Sequence, residues 1–191
     1  MFKVLIFDTE TGGLSPERND LLQLSYQVVD ADEWKVLSVV NHYFEWTSPN
    51  RVEAGALAVN GLTEEFLSTV DCSNRHEALR QFLNDLDECD AVVAHNFAFD
   101  RRFLEWNCDN EGLGYPQWPS RQVDTMKETK NYCQLPPRPG RRDYKYPKLC
   151  ELAYILDINQ DDLKLHDSSA DVELSYRCLH KLCDKSIIDL Y

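Results

Sequence analysis

The chain has 191 residues, 43% hydrophobic and 28% charged, which suits one α/β domain (1–191) with a sizeable core and is too apolar for disorder. Its formal net charge of −13 argues against holding nucleic acid by bulk electrostatics, although a local basic patch or bound metals could still do so. No apolar run nears the roughly 20 residues of a membrane helix, and Met1-Phe2-Lys3 leads straight into the first apolar run without a leader, so a cytoplasmic protein is expected.

Residues 4–7 (Val-Leu-Ile-Phe) are an unbroken apolar run, the mark of a strand buried on both faces. The run leads into Asp8 and Glu10, which in extended chain point to the same side. Two like charges on one face need an offset, and a divalent cation is the usual one. The plainer reading is a hydrated acidic turn. Gly12-Gly13 then permits a sharp turn or the close approach of a ligand. Residues 21–30 and 36–46 read as two further strands, rich in Val, Tyr, Phe and Trp. The short polar link at 30–33 favours an antiparallel hairpin, and so a three-strand meander that includes the acidic strand.

Residues 54–59 read as a short helical turn. A loop at Asn60-Gly61 follows, then a helix capped by Thr63 with Glu64 and Glu65 in its first turn. Leu62 in that loop suits a hydrophobic staple. Residues 74–89 form an amphipathic helix, and 91–94 a short buried strand. The next helix carries Phe99, Phe103 and Trp106 on one face, expected in the core, with Asp100 beside that face near the helix start. A turn-rich loop at 112–119 precedes a last strand at 122–126, where Asp124 can cap the following helix.

From 135 to 147 the chain has four prolines and a glycine, so no regular element is expected. Between 138 and 148, Arg138, Arg141, Arg142, Lys145 and Lys148 face only Asp143, and Tyr144 and Tyr146 interleave with them. That pattern suits phosphates and stacked bases, or simply a solvated loop. A helix at 147–156 has Pro in its first turn. The last helix runs to about residue 183, capped by Asp167 or Ser168, with His166 just before it and Asp171 in its first turns. The seven cysteines are odd in number and lack a C-x-x-C pair, so they read as free thiols.

Each polar residue has a bland reading when taken alone: a dipole partner, a cap, a solvated charge. Together, four carboxylates and a histidine stand at the ends of separate elements. Hard oxygen ligands from several elements plus a base are what two divalent metals and an activated water require.

The motifs and their order resemble the DEDDh family of 3′→5′ exonucleases, which includes the proofreading epsilon subunit of bacterial DNA polymerase III and ribonuclease T. Phe7-Asp8-Thr9-Glu10-Thr11-Gly12 matches the first family motif, and His95-Asn96-Phe97-Ala98-Phe99-Asp100 the second. His166-Asp167-Ser168-Ser169-Ala170-Asp171 matches the third in its histidine form. Ala58-Val59-Asn60-Gly61-Leu62-Thr63 resembles the family's substrate-gripping turn.

The resemblance implies a ribonuclease H-like fold: a five-stranded mixed sheet, its first three strands antiparallel, flanked by helices. It implies that Asp8, Glu10, Asp100 and Asp171 hold two Mg²⁺ or Mn²⁺ ions and that His166 is the general base. Nucleoside 5′-monophosphates would leave the 3′ end of a single strand, DNA favoured. The terminal nucleotide would lie on Thr9, Thr11 and Gly12, with Leu62 wedged against the bases, Asn60, Asn96 and Phe99 nearby, and Arg141 and Arg142 on the strand. The alternatives are an exoribonuclease or oligoribonuclease-like enzyme and, remotely, a non-catalytic binding module. The chain lacks a polymerase-binding tail after its last helix, so a stand-alone enzyme of repair or turnover is expected. Monomer or dimer is left open.

Overall fold

The computed structural model describes residues 1–163 and 167–191. Five strands form one mixed sheet in the order β3-β2-β1-β4-β5. They are β1 (Lys3–Thr11), β2 (Leu21–Asp30), β3 (Lys35–Tyr43), β4 (Ala91–Ala94) and β5 (Arg121–Asp124). β1 pairs antiparallel with β2, and β2 with β3, as the short link at 30–33 requires. β4 joins β1 in parallel and β5 joins β4 in parallel, through helical crossovers. The five-stranded sheet with its antiparallel meander is the expected architecture.

The apolar run of β1 alternates between two cores. Val4 and Ile6 pack with Val29, Leu174, Cys178 and Leu179 on one face. Leu5 and Phe7 pack with Leu24, Tyr26, Leu79, Phe82 and Leu104 on the other. The first face is covered by α7 (Leu149–Ile155) and α8 (Ser168–Asp184), the second by α3 (Arg75–Asp87) and α4 (Phe97–Asn110). A strand covered on both faces has no side to leave polar until it emerges from the layers. Asp8 and Glu10 mark that emergence.

Local chemistry sets the helix ends. Asn74 caps α3 by accepting from the Glu77 amide, and Thr63 caps α2 (Glu64–Leu67) by accepting from Phe66. α1 (Ala54–Asn60) stops at Gly61, whose φ of 71° is the left-handed closure glycine allows. Asp124 caps the short α5 (Thr125–Glu128), which α6 (Lys130–Cys133) follows. Residues 134–148 carry no helix or strand.

Some boundaries differ from the sequence reading. β3 ends at Tyr43 rather than 46, because Trp46 turns in to donate to the Leu62 carbonyl at 3.0 Å. β5 ends at Asp124, where the chain switches to helix. α7 begins at Leu149, leaving Pro147 outside it, with its carbonyl accepting from His95 Nε2 at 3.1 Å. α4 presents Phe97, Phe103, Leu104 and Cys108 to the core, while Phe99 and Trp106 stay half-buried. The cause is the start of the helix. Asn96 sits at φ 76°, a left-handed conformation that Asn tolerates, and it orients the helix so that the 97/104/108 stripe meets the sheet. Among the described residues no helix is long and apolar enough to cross a membrane.

Candidate active site

The site lies where β1 outruns its parallel partner. The β1–β4 ladder ends at Ile6↔Val93, while β1 continues to Thr11 against β2. Past that point the β4 side of β1 offers backbone groups with no strand to pair them. Asp100, in the first turn of α4 and 3% exposed, fills the gap. One of its carboxylate oxygens accepts from the Thr9 amide at 3.2 Å and from the Thr9 hydroxyl at 2.6 Å.

On the α8 side, one carboxylate oxygen each from Asp8, Glu10 and Asp171 lies within 4.8 Å of the others, the only such group among the described residues. Asp8 and Glu10 share a face by strand alternation, and Asp171 is brought to them by the start of α8. Burial raises the Asp8 carboxyl well above its ordinary range, and the charges of Asp100, Glu10 and Asp171 raise it further. Burial pushes Glu10 up to about 8, against a hydrogen bond from Asn60 that favours its ionised form. Burial also raises Asp100, although the two Thr9 bonds pull it down. The carboxylates are therefore crowded by one another and by lost water, and each would ionise more readily beside added positive charge. The donor set is all hard oxygen, drawn from three elements, and this fits Mg²⁺ or Mn²⁺ better than a soft metal.

A polar row in β2 secures the third element. Gln23 lies directly across from Glu10, and Ser25 across from Asp8. The Gln23 amide nitrogen donates to Asp167 Oδ1 at 3.2 Å and to Asn41 Oδ1 at 3.0 Å, and its oxygen accepts from the Ser168 amide at 3.2 Å. Tyr43 donates to the other Asp167 oxygen at 3.2 Å. Ser168 Oγ donates to the Asp8 carbonyl at 3.1 Å. Burial works to raise the Asp167 carboxyl, but bonds from Ser169, Gln23 and Tyr43 outweigh it and hold the group below its usual value. Sequence reading passed over Gln23 and Tyr43. The signal available was Gln23, Ser25 and Gln27 at every second position of an otherwise apolar strand.

Of the sequence candidates, Asp8, Glu10 and Asp171 converge directly, and Asp100 abuts them through Thr9. His166 lies outside the described residues. The remaining candidates have prior engagements. Thr9 is committed to Asp100, and Thr11 Oγ1 donates to the Gly13 carbonyl at 2.7 Å. Asn60 donates to the Thr11 carbonyl at 3.1 Å and accepts from the Leu62 amide at 3.1 Å, so it braces the end of β1.

Leu62 is 4% exposed and packs with Leu22 and Leu67, the geometry of a hydrophobic staple. At Gly12 a Cβ would meet the Arg51 carbonyl oxygen at 2.5 Å, so the glycine makes room for the 51–52 backbone. Both its backbone polar groups are also bonded, to Asp20 and Glu53.

Asn96 and Asp171 line a cavity of about 470 Å³ together with His95, Tyr146 and Lys148. Phe99 leans on Phe103 with ring centroids 5.2 Å apart. Arg141 and Arg142 are exposed, and Arg141 lines a second cavity of about 370 Å³. The two cavities share Arg138, Lys145 and Tyr146 as walls. Within this loop region Lys130 pairs with Asp143 and Lys145 with Glu151.

A family model described as Exonuclease matches residues 5–179. Among curated proteins, the chain is 27% identical over 133 residues to the PolC-type DNA polymerase III of Thermotoga maritima, covering 69% of this chain and 9% of that protein. It is 23% identical over 184 residues to the PolC-type DNA polymerase III of Oceanobacillus iheyensis, covering 96% and 12%. The chain thus spans about a tenth of the length of these relatives. Among solved structures, E. coli exonuclease I in complex with a dT13 oligonucleotide superposes with a TM-score of 0.77 at 17% identity, covering 95% of this chain and 41% of that one. A zinc-bound form of the E. coli exonuclease I–ssDNA complex gives 0.78 at 16% identity, covering 97% and 41%.

Proposed function

Because the chain belongs to the DEDDh family of 3′→5′ exonucleases, we propose that residues 1–191 form one exonuclease domain that removes nucleotides from the 3′ ends of single-stranded nucleic acid, DNA favoured. The observation that carries this reading is the convergence of Asp8, Glu10 and Asp171 within 4.8 Å of one another, with buried Asp100 alongside.

In this reading Asp8, Glu10, Asp100 and Asp171 hold two divalent ions, Mg²⁺ or Mn²⁺. When bound, such ions supply positive charge to a phosphodiester's oxygens and lower the pKa of a water. Thr9 orients Asp100 by fixing one of its carboxylate oxygens. His166 takes the proton of the attacking water, and the pKa near 6.5 of an unperturbed imidazole suits that task at neutral pH. Attack on phosphorus breaks the bond to the 3′ oxygen and frees a nucleoside 5′-monophosphate.

Asn96 and the adjoining cavities offer the strand a path from Asp171 toward Arg138 and Arg141, where phosphates meet positive charge and bases meet Tyr146. Two of the solved E. coli exonuclease I structures that share this fold are complexes with single-stranded DNA, and this supports DNA as the substrate.

The test is digestion of 5′-labelled and 3′-labelled single strands of DNA and RNA with Mg²⁺, Mn²⁺ or chelator. The reading expects stepwise ladders from the 5′ label, immediate release of the 3′ label, and silence in chelator. Asp8→Ala and His166→Ala should each abolish most activity while leaving the circular dichroism spectrum intact. Near-wild-type activity in either variant overturns the mechanism, and preferential digestion of RNA reverses the substrate assignment.

A further inference from the structure

The buried amide of Gln23 has no place in the chemistry just described, yet it lies beside the strand that bears Asp8 and Glu10 and bonds to the start of the helix that bears Asp171. Its side chain is fully buried and lies across the β1–β2 pair from Glu10. In one direction it donates to Asp167 and Asn41, and in the other it accepts from the Ser168 amide. Only a primary amide of this length performs both tasks. A carboxylate would lose the donor and face Asp167 with a like charge, and a hydrocarbon would take away the acceptor of the Ser168 amide.

Asp167 and Ser168 are the cap and first residue of α8. The Asp167 carbonyl accepts from the Asp171 amide at 3.0 Å, which closes the first turn of the helix. Ser168 also reaches the carbonyl of Asp8. One amide therefore registers the strand bearing Asp8 and Glu10 against the helix turn bearing Asp171. Tyr43, from β3, braces the same cap from the far side.

We infer that Gln23, with Tyr43, is a positioning residue for the metal cluster: by holding the Asp167–Ser168 cap on the sheet it sets the separation of Asp171 from Asp8 and Glu10. The inference rests on the metal-site reading above and deepens it. Outer partners of ligating groups typically contribute about 10- to 100-fold to metal affinity or activity. A residue that merely supports the fold would instead lower stability and leave the folded site's affinity unchanged.

The experiment is calorimetric titration of the full chain with Mn²⁺ alone, without nucleic acid, for wild type, Gln23→Glu and Tyr43→Phe, with thermal melts in parallel. Gln23→Glu should weaken Mn²⁺ binding about 10- to 100-fold, and Tyr43→Phe, which loses one hydroxyl, by a smaller factor of about 3 to 10. The Mn²⁺ concentration needed for half-maximal exonuclease activity should rise in the same order. Should Gln23→Glu fail to fold, Tyr43→Phe decides by itself. If the folded variants bind Mn²⁺ within about twofold of wild type, whatever their melting temperature, the positioning role is overturned while the metal-site reading stands. If wild type binds no Mn²⁺, that reading falls and takes this inference with it.

Discussion

Thr9 gives both its backbone amide and its hydroxyl to a single oxygen of Asp100, 91 positions away in the chain. The contact exists because β1 extends past the end of β4, so the Thr9 amide has no strand partner on that side. It joins the first and second sequence motifs into one unit. Thr9→Val keeps the shape and the backbone bond but deletes the shorter, stronger one. Its exonuclease activity should fall about 10- to 100-fold with little loss of fold, while Thr9→Ser keeps most activity. Steady-state rates at saturating Mg²⁺ check this, and equal rates for Val and Ser would show that the hydroxyl is dispensable.

The crowding of carboxylates sets a pH dependence. In the metal-free protein Asp8 and Asp100 are raised and Glu10 is raised to about 8. The folded state therefore binds more protons than the unfolded chain between the ordinary carboxylate range and about pH 8. Stability from these groups is fully present at the acidic end of that window and is lost as pH rises through it. The melting temperature in chelator should fall from pH 5 to pH 8 more steeply for wild type than for Asp8→Asn. At pH 8 the variant should melt about 3–6 °C higher, a gain of about 1–2 kcal/mol, while being inactive. Added Mg²⁺ should stabilise wild type more at pH 8 than at pH 5, since metal and proton compete for the same oxygens. Parallel slopes for the two proteins in chelator would contradict the assignment.

Two glycines should answer oppositely to the same change. At Gly12 a methyl group collides with the Arg51 carbonyl, so Gly12→Ala should destabilise by about 1–3 kcal/mol. At Gly55, inside α1, a Cβ meets nothing within 4 Å, so Gly55→Ala should stabilise by about 0.5–1 kcal/mol. Urea unfolding midpoints distinguish them.

The exposed pair Arg141 and Arg142 should act through phosphate charge. Replacing both by Ala should weaken binding of longer single strands and lower the slope of log affinity against log salt by roughly 0.7 for each phosphate that is no longer neutralised. The rate of cutting the terminal bond of a short oligonucleotide should change little. Fluorescence anisotropy across a salt series measures the slope, and an unchanged slope returns the loop to ordinary solvated surface.

Patterns local in sequence were legible in sequence. The apolar run of β1, the meander of β1 to β3, the caps at Thr63, Asp124 and Asp167, and the irregular 135–147 stretch all follow from neighbours within a few positions. The spacing of Asp8, Glu10, Asp100 and Asp171 was equally plain, and it carried the family. What those residues' neighbours do was settled only by contacts between distant segments. Thr9 serves Asp100, Gly12 admits the 51–52 backbone, Asn60 ties down the end of β1, and Leu62 is buried as a staple.

The clearest case is Gln23, whose partners Asp167 and Ser168 lie 144 and 145 positions away. Composition and periodicity report which face a residue takes, because a strand or helix repeats every few residues. They carry no record of which distant polar group waits on that face. Only the folded chain, by bringing β2 against the start of α8, decides that a glutamine in an apolar strand has a carboxylate and an amide to satisfy.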